Sequence, residues 1–172
     1  MRQMIKYRDY LIGILADPEE AIIYLEVSIE EYQKDGDTVA FLLALQSIAE
    51  AQTGNNELLF QVYLLSGEVH QSREEYDWAI ADYDTVIELT NTVIETNPSN
   101  VEAYIHRGLA YHHKGEYDRV IKDLTKVIQL DPNNTGHALA SHPKEDITES
   151  IRLLLTRSKE RLSTPSQAMP KQ

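Results

Sequence analysis

Histidines are the residues of this sequence best suited to metal chemistry. Six are present, and His106 and His113 share a helix face at a spacing of seven. That spacing separates two side chains by about 10 Å along a helix, too far for both to bind one ion without a third element. His112 and His113 are adjacent, so their side chains diverge. The pattern predicts no metal site and assigns the histidines to packing or to the surface.

Carboxylates are plentiful, with 28 Asp and Glu residues, but they follow the pattern of exposed helix faces. A catalytic pair needs a desolvated cleft that shifts its pKa values. The chain also lacks a glycine-rich phosphate loop and a nucleophile elbow, and Ser66-Gly67 belongs to an internal repeat. Without cysteine there is no thiol nucleophile and no disulfide. We therefore expect no catalytic residue, no cofactor and no enzyme activity.

Negative charge is concentrated in the first hundred residues. The net charge of −12 divides into −6 over residues 1–56, −8 over 57–100, 0 over 101–134 and +2 over 135–172. An acidic front half repels phosphate backbones and attracts basic partners, although such charge also serves solubility alone. Basic residues fit the solvated side of the final helix, at Arg152, Arg157, Lys159 and Arg161. We expect a protein partner that carries basic residues, and no nucleic acid.

The N-terminal residues bear on localisation. The apolar run Tyr10–Ala16 is short and is followed at once by Asp17-Pro18-Glu19-Glu20. That is neither a small-residue cleavage site nor a membrane-spanning helix. With no cysteine in the chain, a reducing compartment is expected, and the sequence predicts a cytoplasmic protein that does not contact a membrane.

Two related segments form an internal repeat. The segment Gly67–Ile80 aligns with Gly108–Ile121, and the two share a Gly, a Glu, a Tyr, an Asp and an Ile at a constant offset of 41 residues. Further identities keep the same offset as far as Leu89. From Val93 the offset is 34, so the first copy holds a seven-residue insertion, visible as a duplicated Val-Ile-Glu. Seven residues make about two helical turns. The second helix of the first copy should therefore be longer, with its buried face kept nearly in line.

Each copy is typical of a helix, a turn and a second helix. Asn97-Pro98 and Asp131-Pro132 are signals that end the second helix. Gly67 and Gly108 lie inside the first helix, where glycine costs up to about 1 kcal/mol relative to alanine. Their recurrence predicts close helix packing that leaves no room for a side chain.

A 34-residue period of this kind resembles the tetratricopeptide repeat family over about residues 60–134. The second copy fills signature positions with Tyr104, Gly108, Tyr111, Leu124 and Pro132, and the first with Tyr63, Gly67, Ala79, Tyr83, Val86 and Pro98. The departures are Arg107 in a usual Leu position, His70 in an aromatic one, and Val120 and Val127 in place of Ala. The resemblance implies an all-α fold, a right-handed α-solenoid of helical hairpins.

The flanks must complete this array, because two hairpins are too few to bury their own faces. Residues 57–162 are predicted as one domain, with repeats at 60–100 and 101–134, a loop at 135–142 and a capping helix at 143–162. The capping helix would bury Ile147, Ile151, Leu154 and Leu155, and residues 163–172 would be a disordered tail.

Residues 1–54 are predicted as a segment of three helices, broken at Asp17-Pro18 and at Asp35-Gly36-Asp37. Each helix has an apolar stripe expected to be buried: Leu11, Ile12, Ile14 and Leu15; Ala21, Ile22, Leu25 and Ile29; Phe41, Leu42, Leu45, Ile48 and Ala49.

The same segment resembles a second family over about residues 8–54. The residues that carry the likeness are Tyr10-Leu11, Asp17-Pro18-Glu19-Glu20-Ala21, Tyr24-Leu25, Phe41-Leu42-Leu43-Ala44-Leu45 and Ile48-Ala49-Glu50-Ala51-Gln52. They look like the front half of bacterial addiction-module antidotes, which neutralise a toxin and bind DNA. The family's helix-turn-helix reader is missing, because Asn55 leads directly into the first repeat. The DNA-binding role is therefore not expected to carry over.

The tetratricopeptide resemblance implies a binding groove on the concave face formed by the first helix of each hairpin. Its lining maps to Gln61, Leu64, Glu68, Gln71, Ser72, Glu102, Ile105, Leu109, His112 and His113. This mixed apolar and acidic set would suit a helix or an extended peptide with basic residues. The predicted function is a non-enzymatic adaptor or scaffold that binds a protein or peptide. The alternative is an antidote-like regulator whose residues 1–54 bind a toxin or partner subunit, with the repeats as an accessory or dimerising module.

Overall fold

The computed structural model describes residues 2–131, with side chains from Tyr7 onward. These residues form seven α-helices and no strand. The helices are α1 (Arg2–Leu15), α2 (Pro18–Asp35), α3 (Thr38–Ala51), α4 (Asn56–Ser72), α5 (Tyr76–Thr96), α6 (Val101–His113) and α7 (Tyr117–Leu130). The predicted all-α fold of helical hairpins is confirmed for this part of the chain. The predicted loop, capping helix and tail at 135–172 lie outside the described residues.

Short polar side chains fix where the helices begin. Asp17 accepts a hydrogen bond from the backbone N–H of Glu19, and Pro18 occupies the first helical position of α2. Asp37 accepts from two backbone N–H groups at the start of α3. These caps satisfy donors that the helix itself cannot pair. Both predicted breaks in the N-terminal segment are thereby confirmed.

The first compact unit, residues 1–89, has a core built by α1 to α4. Helix α3 packs against α1, α2 and α4. The shared buried residues are Leu15, Ala21, Leu25, Phe41, Leu45, Ile48, Leu58, Val62 and Val69. Because the last three belong to α4, the predicted boundary after residue 54 is a turn between two helices that share one core. The second unit begins at Thr90.

Two residues of the predicted buried stripes are exposed. Ile14 and Ile22 are 37% and 46% exposed, whereas their neighbours Leu15 and Ala21 are fully buried. One residue along a helix is a rotation of about 100°. A position next to the buried stripe therefore faces away once the helix packs on one side. The prediction was wrong at these two positions.

Helix α5 has 21 residues and α7 has 14, a difference equal to the predicted insertion. The added residues extend α5 without breaking it. The prediction of a lengthened second helix in the first repeat is therefore confirmed.

The two repeated glycines differ in how tightly they are packed. A Cβ atom added at Gly67 would lie 2.5 Å from Cε1 of the Tyr83 ring. At Gly108 the nearest atom would be Cδ2 of Leu124, at 3.4 Å, which is an ordinary van der Waals contact. The predicted lack of room is confirmed at Gly67 and wrong at Gly108.

Alanine substitution should separate these two positions. Gly67→Ala should lower the free energy of unfolding by about 2 kcal/mol, because overpacking outweighs the gain in helix propensity. The Tyr83 ring cannot easily move, since it is buried and its hydroxyl donates to Gln71 at 3.0 Å. Gly108→Ala should raise the free energy of unfolding by about 0.5 to 1 kcal/mol through helix propensity alone. Urea denaturation of both variants measures this difference, and changes of equal sign would contradict it.

Candidate functional site

A cleft of about 510 Å³ opens between α3, α4 and α5 in the first unit. We call it the α3–α4–α5 cleft. Helix α3 contributes mainly apolar side chains to it, and α4 and α5 contribute most of the polar ones. Its lining includes Val39, Leu43 and Gln46 of α3, Ser66 and His70 of α4, Trp78 and Asp82 of α5, and Arg73, which follows α4.

Asp82 is the half-buried carboxylate of this cleft. Burial raises the pKa of the Asp82 carboxyl, against the lowering effects of a hydrogen bond with the Ser66 side chain and of nearby His70. Its buried Oδ2 atom has no hydrogen-bond partner among the described residues. A buried carboxylate oxygen without a donor is costly, so the site favours a ligand that supplies one.

The cation at the edge of the cleft is already paired. Arg73 forms an ion pair with Glu75 at 2.9 Å and donates to the Thr38 hydroxyl at 2.8 Å. His70 Nδ1 lies 3.8 Å from a carboxylate oxygen of Glu75, beyond hydrogen-bond distance. Arg73 is thus held at the rim by its own neighbours, and no hydrogen bond joins it to Asp82 among the bonds described.

Large apolar side chains surround the mouth of the cleft. Trp78 is 67% exposed, and Val39 and Leu43 are each 58% exposed. Trp78 is the one tryptophan of the sequence. A group of exposed apolar residues around a pocket that also holds a few polar groups is typical of a surface that binds a partner.

The second unit has an ion pair where the first has the cleft. Arg107 donates to both carboxylate oxygens of Asp123, at 2.8 Å and 2.7 Å, and to the side-chain oxygen of Asn91 at 2.6 Å. Its guanidinium also lies 5.3 Å from the centre of the Tyr104 ring. Asp123 is almost completely buried. This network explains how an arginine replaces the usual leucine of the repeat.

The residues of the predicted groove have different environments. Leu64 and Ile105 are 8% and 1% exposed, so they belong to the core and have almost no surface for a ligand. The exposed residues are Glu68, Gln71 and Ser72, and the half-buried ones are Gln61, Glu102, Leu109, His112 and His113. The Ser72 hydroxyl donates to the backbone oxygen of Val69. The groove stays a prediction for the eight residues that keep an accessible surface.

The cleft lies on a different face of α4 from the predicted groove. Ser66 lines the cleft and Glu68 belongs to the groove, and two residues along a helix are about 200° apart. The cleft was not predicted from the sequence. The available signal was Ser66, which stands at the repeat position that Arg107 occupies in the second copy.

The histidines considered for metal binding do not meet at one site. His106 is 2% exposed, and burial lowers its pKa to about 4. His113, at the end of the same helix, is half-buried. Within residues 2–131 no group of three or more His, Asp or Glu side chains could hold a metal ion. In the same range, no helix is both long and apolar enough to span a membrane.

Comparison with known proteins identifies the class of the second repeat. Residues 101–134 match the sequence model of the tetratricopeptide repeat. The predicted resemblance to this family is therefore confirmed, and the matched stretch is the second predicted repeat. No curated protein matches the sequence significantly. The family match supports a protein-interaction module.

Several solved structures align with most of the chain. One is the first tetratricopeptide domain of Spaghetti (RPAP3) bound to an HSP90 peptide, with 20% identity, coverage of 86% of this chain and 97% of that chain, and a TM-score of 0.49. The TPR2B domain of yeast Sti1, in a complex with pHsp70, has 19% identity, coverage of 81% and 98%, and a TM-score of 0.47. MamA of Desulfovibrio magneticus RS-1 has 20% identity, coverage of 85% and 97%, and a TM-score of 0.32.

Proposed function

We propose that the chain is a non-enzymatic adaptor that binds a protein or peptide. The main support is the exposed apolar rim of the α3–α4–α5 cleft, formed by Val39, Leu43 and Trp78. Burial of apolar side chains is the dominant favourable contribution to most protein–protein association. A large aromatic residue at the centre of a patch is the usual energetic anchor of an interface. The tetratricopeptide match supports the same class of function.

The partner should carry basic residues. Residues 57–100 contain nine acidic residues and one basic residue, so this part of the chain carries a net charge of −8. Such a field raises the association rate of a positively charged partner, and salt screens the effect. Glu68 of the predicted groove is one of these acidic residues, and so is Asp82 of the cleft. Both faces of α4 are therefore candidates for the contact.

Affinity capture with surface variants tests the function. The full chain, immobilised, is exposed to a native bacterial lysate at low and moderate salt, and bound proteins are identified by mass spectrometry. Trp78→Ala should lose the captured partner if the cleft is the contact surface. Tyr76→Ala is the matched control, because Tyr76 is an exposed aromatic on the same helix that does not line the cleft. Glu68→Lys reports on the predicted groove.

The outcomes are distinct. Loss with Trp78→Ala and retention with Tyr76→Ala supports the adaptor function through the cleft. Loss of the captured partner with Glu68→Lys alone indicates that the contact surface is the groove. Capture of nothing beyond the background of blank resin contradicts the function. If the captured protein is the chain itself, light scattering of the purified protein should show a homo-oligomer.

A second function is favoured by a different surface. Tyr7, Tyr10 and Ile14 are spaced by three and four along α1 and are all exposed. This apolar stripe would serve an antidote-like regulator that binds a toxin or partner subunit through residues 1–54. Tyr10→Ser should then lose the partner while Trp78→Ala retains it. Substitutions in the full chain are required, because truncation after residue 54 would divide the core that α3 shares with α4.

A further inference from the structure

The internal repeat places two equivalent aspartates in different surroundings. Asp82 and Asp123 match at the offset of 41 that relates the two copies. The residue facing each aspartate from the first helix of its hairpin is also equivalent, but it is Ser66 in the first copy and Arg107 in the second. The two copies therefore show the same position with and without an arginine.

In the second copy the arginine satisfies the aspartate completely. Both carboxylate oxygens of Asp123 accept from the guanidinium, and Asn91 of the preceding helix accepts a further N–H. A planar guanidinium matches a carboxylate through two parallel hydrogen bonds, which an ammonium cannot reproduce. This arrangement identifies the kind of donor that a carboxylate at this repeat position can accept.

In the first copy the corresponding space is an open cleft. Ser66 is too short to fill it, and Asp82 keeps one buried oxygen without a hydrogen-bond partner among the described residues. Gln46 lines the cleft from the preceding helix and supplies a side-chain amide, as Asn91 does in the second copy. A carboxylate and an amide are thus present, and an arginine is the missing element.

We propose that the α3–α4–α5 cleft binds an arginine side chain of the partner protein, with its guanidinium on Asp82 as that of Arg107 is on Asp123. The inference rests on the proposed interaction function and specifies the recognised residue. The apolar rim of Leu43 and Trp78 would contact the side-chain stem and its apolar neighbours. Trp78 adds a ring face suited to a cation, and the acidic charge of residues 57–100 attracts the partner.

The test uses N-acetyl-arginine amide as the probe and the indole N–H signal of Trp78 as the reporter. Because Trp78 is the one tryptophan of the sequence, its NMR signal is assigned without ambiguity. N-acetyl-citrulline amide is the control ligand, since it has nearly the same shape without the charge. The arginine amide should shift the signal in a saturable way in the full chain, and the citrulline amide should bind at least fivefold more weakly.

Two variants complete the experiment. Asp82→Asn should weaken the arginine amide at least fivefold, whereas Asp77→Asn, an exposed carboxylate on the same helix outside the cleft, should leave binding unchanged. Ser66→Arg should supply the missing arginine from within the chain. It should raise the melting temperature and abolish binding of the arginine amide, with far-UV circular dichroism as the check on folding.

Equal binding of the arginine and citrulline amides would overturn the inference, as would unchanged binding by Asp82→Asn. The proposed function is tested separately by capture of a protein partner. If capture still depends on Trp78 while the arginine amide does not bind, the recognised residue is wrong and the interaction function stands. If no partner is captured, the function itself is wrong.

Discussion

Arg107→Leu should lower the free energy of unfolding by about 3 to 5 kcal/mol, the usual cost of removing one partner from a buried ion pair. The side chain of Asp123 is 3% exposed, so its charge cannot be solvated once the guanidinium is lost. The substitution restores the usual leucine of the repeat, yet it should destabilise this chain. Equilibrium unfolding in urea, followed by circular dichroism, measures the change.

A double variant distinguishes lost pairing from lost packing. Arg107→Leu combined with Asp123→Leu should recover most of the loss, because two apolar side chains leave no buried charge unpaired. Arg107→Lys should be intermediate, since an ammonium keeps the charge but not the two parallel hydrogen bonds. A loss below about 1 kcal/mol for Arg107→Leu would show that water solvates Asp123 in the variant.

Acid should destabilise the protein by about 3 kcal/mol between pH 7 and pH 4 through His106 alone. Burial lowers the pKa of His106 to about 4 in the folded chain, against 6.5 for an ordinary histidine. The unfolded chain therefore takes up a proton on this residue at a higher pH than the folded chain. The contribution of His106 is complete above pH 6.5, falls as the pH decreases and is lost below pH 4.

Urea unfolding of the wild type and of His106→Leu across this pH range measures the effect. The variant should lose about 3 kcal/mol less stability on acidification, whatever its stability at pH 7. His113→Gln, which removes a half-buried histidine from the same helix, is the matched control. If the free energy of unfolding falls with pH equally in the wild type and in His106→Leu, the lowered pKa of His106 is contradicted.

Local signals explain the parts of the fold that were predictable. The caps at Asp17 and Asp37 act within three residues of their position, so short motifs reveal them. The duplicated segment of α5 is visible as a repeated sequence, and its length appears directly in the helix. Gly67 is predictable only in part. Its fit depends on where the Tyr83 ring lies, and the same argument fails for Gly108 because Leu124 leaves more room.

The cleft could not be predicted because it lies where the first copy has the short side chain of Ser66 and the second copy has an arginine. Ser66 is an unremarkable residue in sequence, and it becomes informative when Arg107 is seen paired with its aspartate in the second copy. Leu64 and Ile105, two residues of the predicted groove, are buried for a related reason. A family position indicates which face of a helix a residue occupies, but burial depends on the side chains of neighbouring helices.

The lengthened part of α5 contributes to the stability of the second repeat. Asn91 lies in the duplicated stretch and accepts the guanidinium N–H that points away from Asp123. Without this acceptor, an arginine at position 107 would bury a donor unpaired, at a cost of about 1 to 3 kcal/mol. A change in the length of α5 would therefore be felt in the second repeat, through the hydrogen bonds of its arginine.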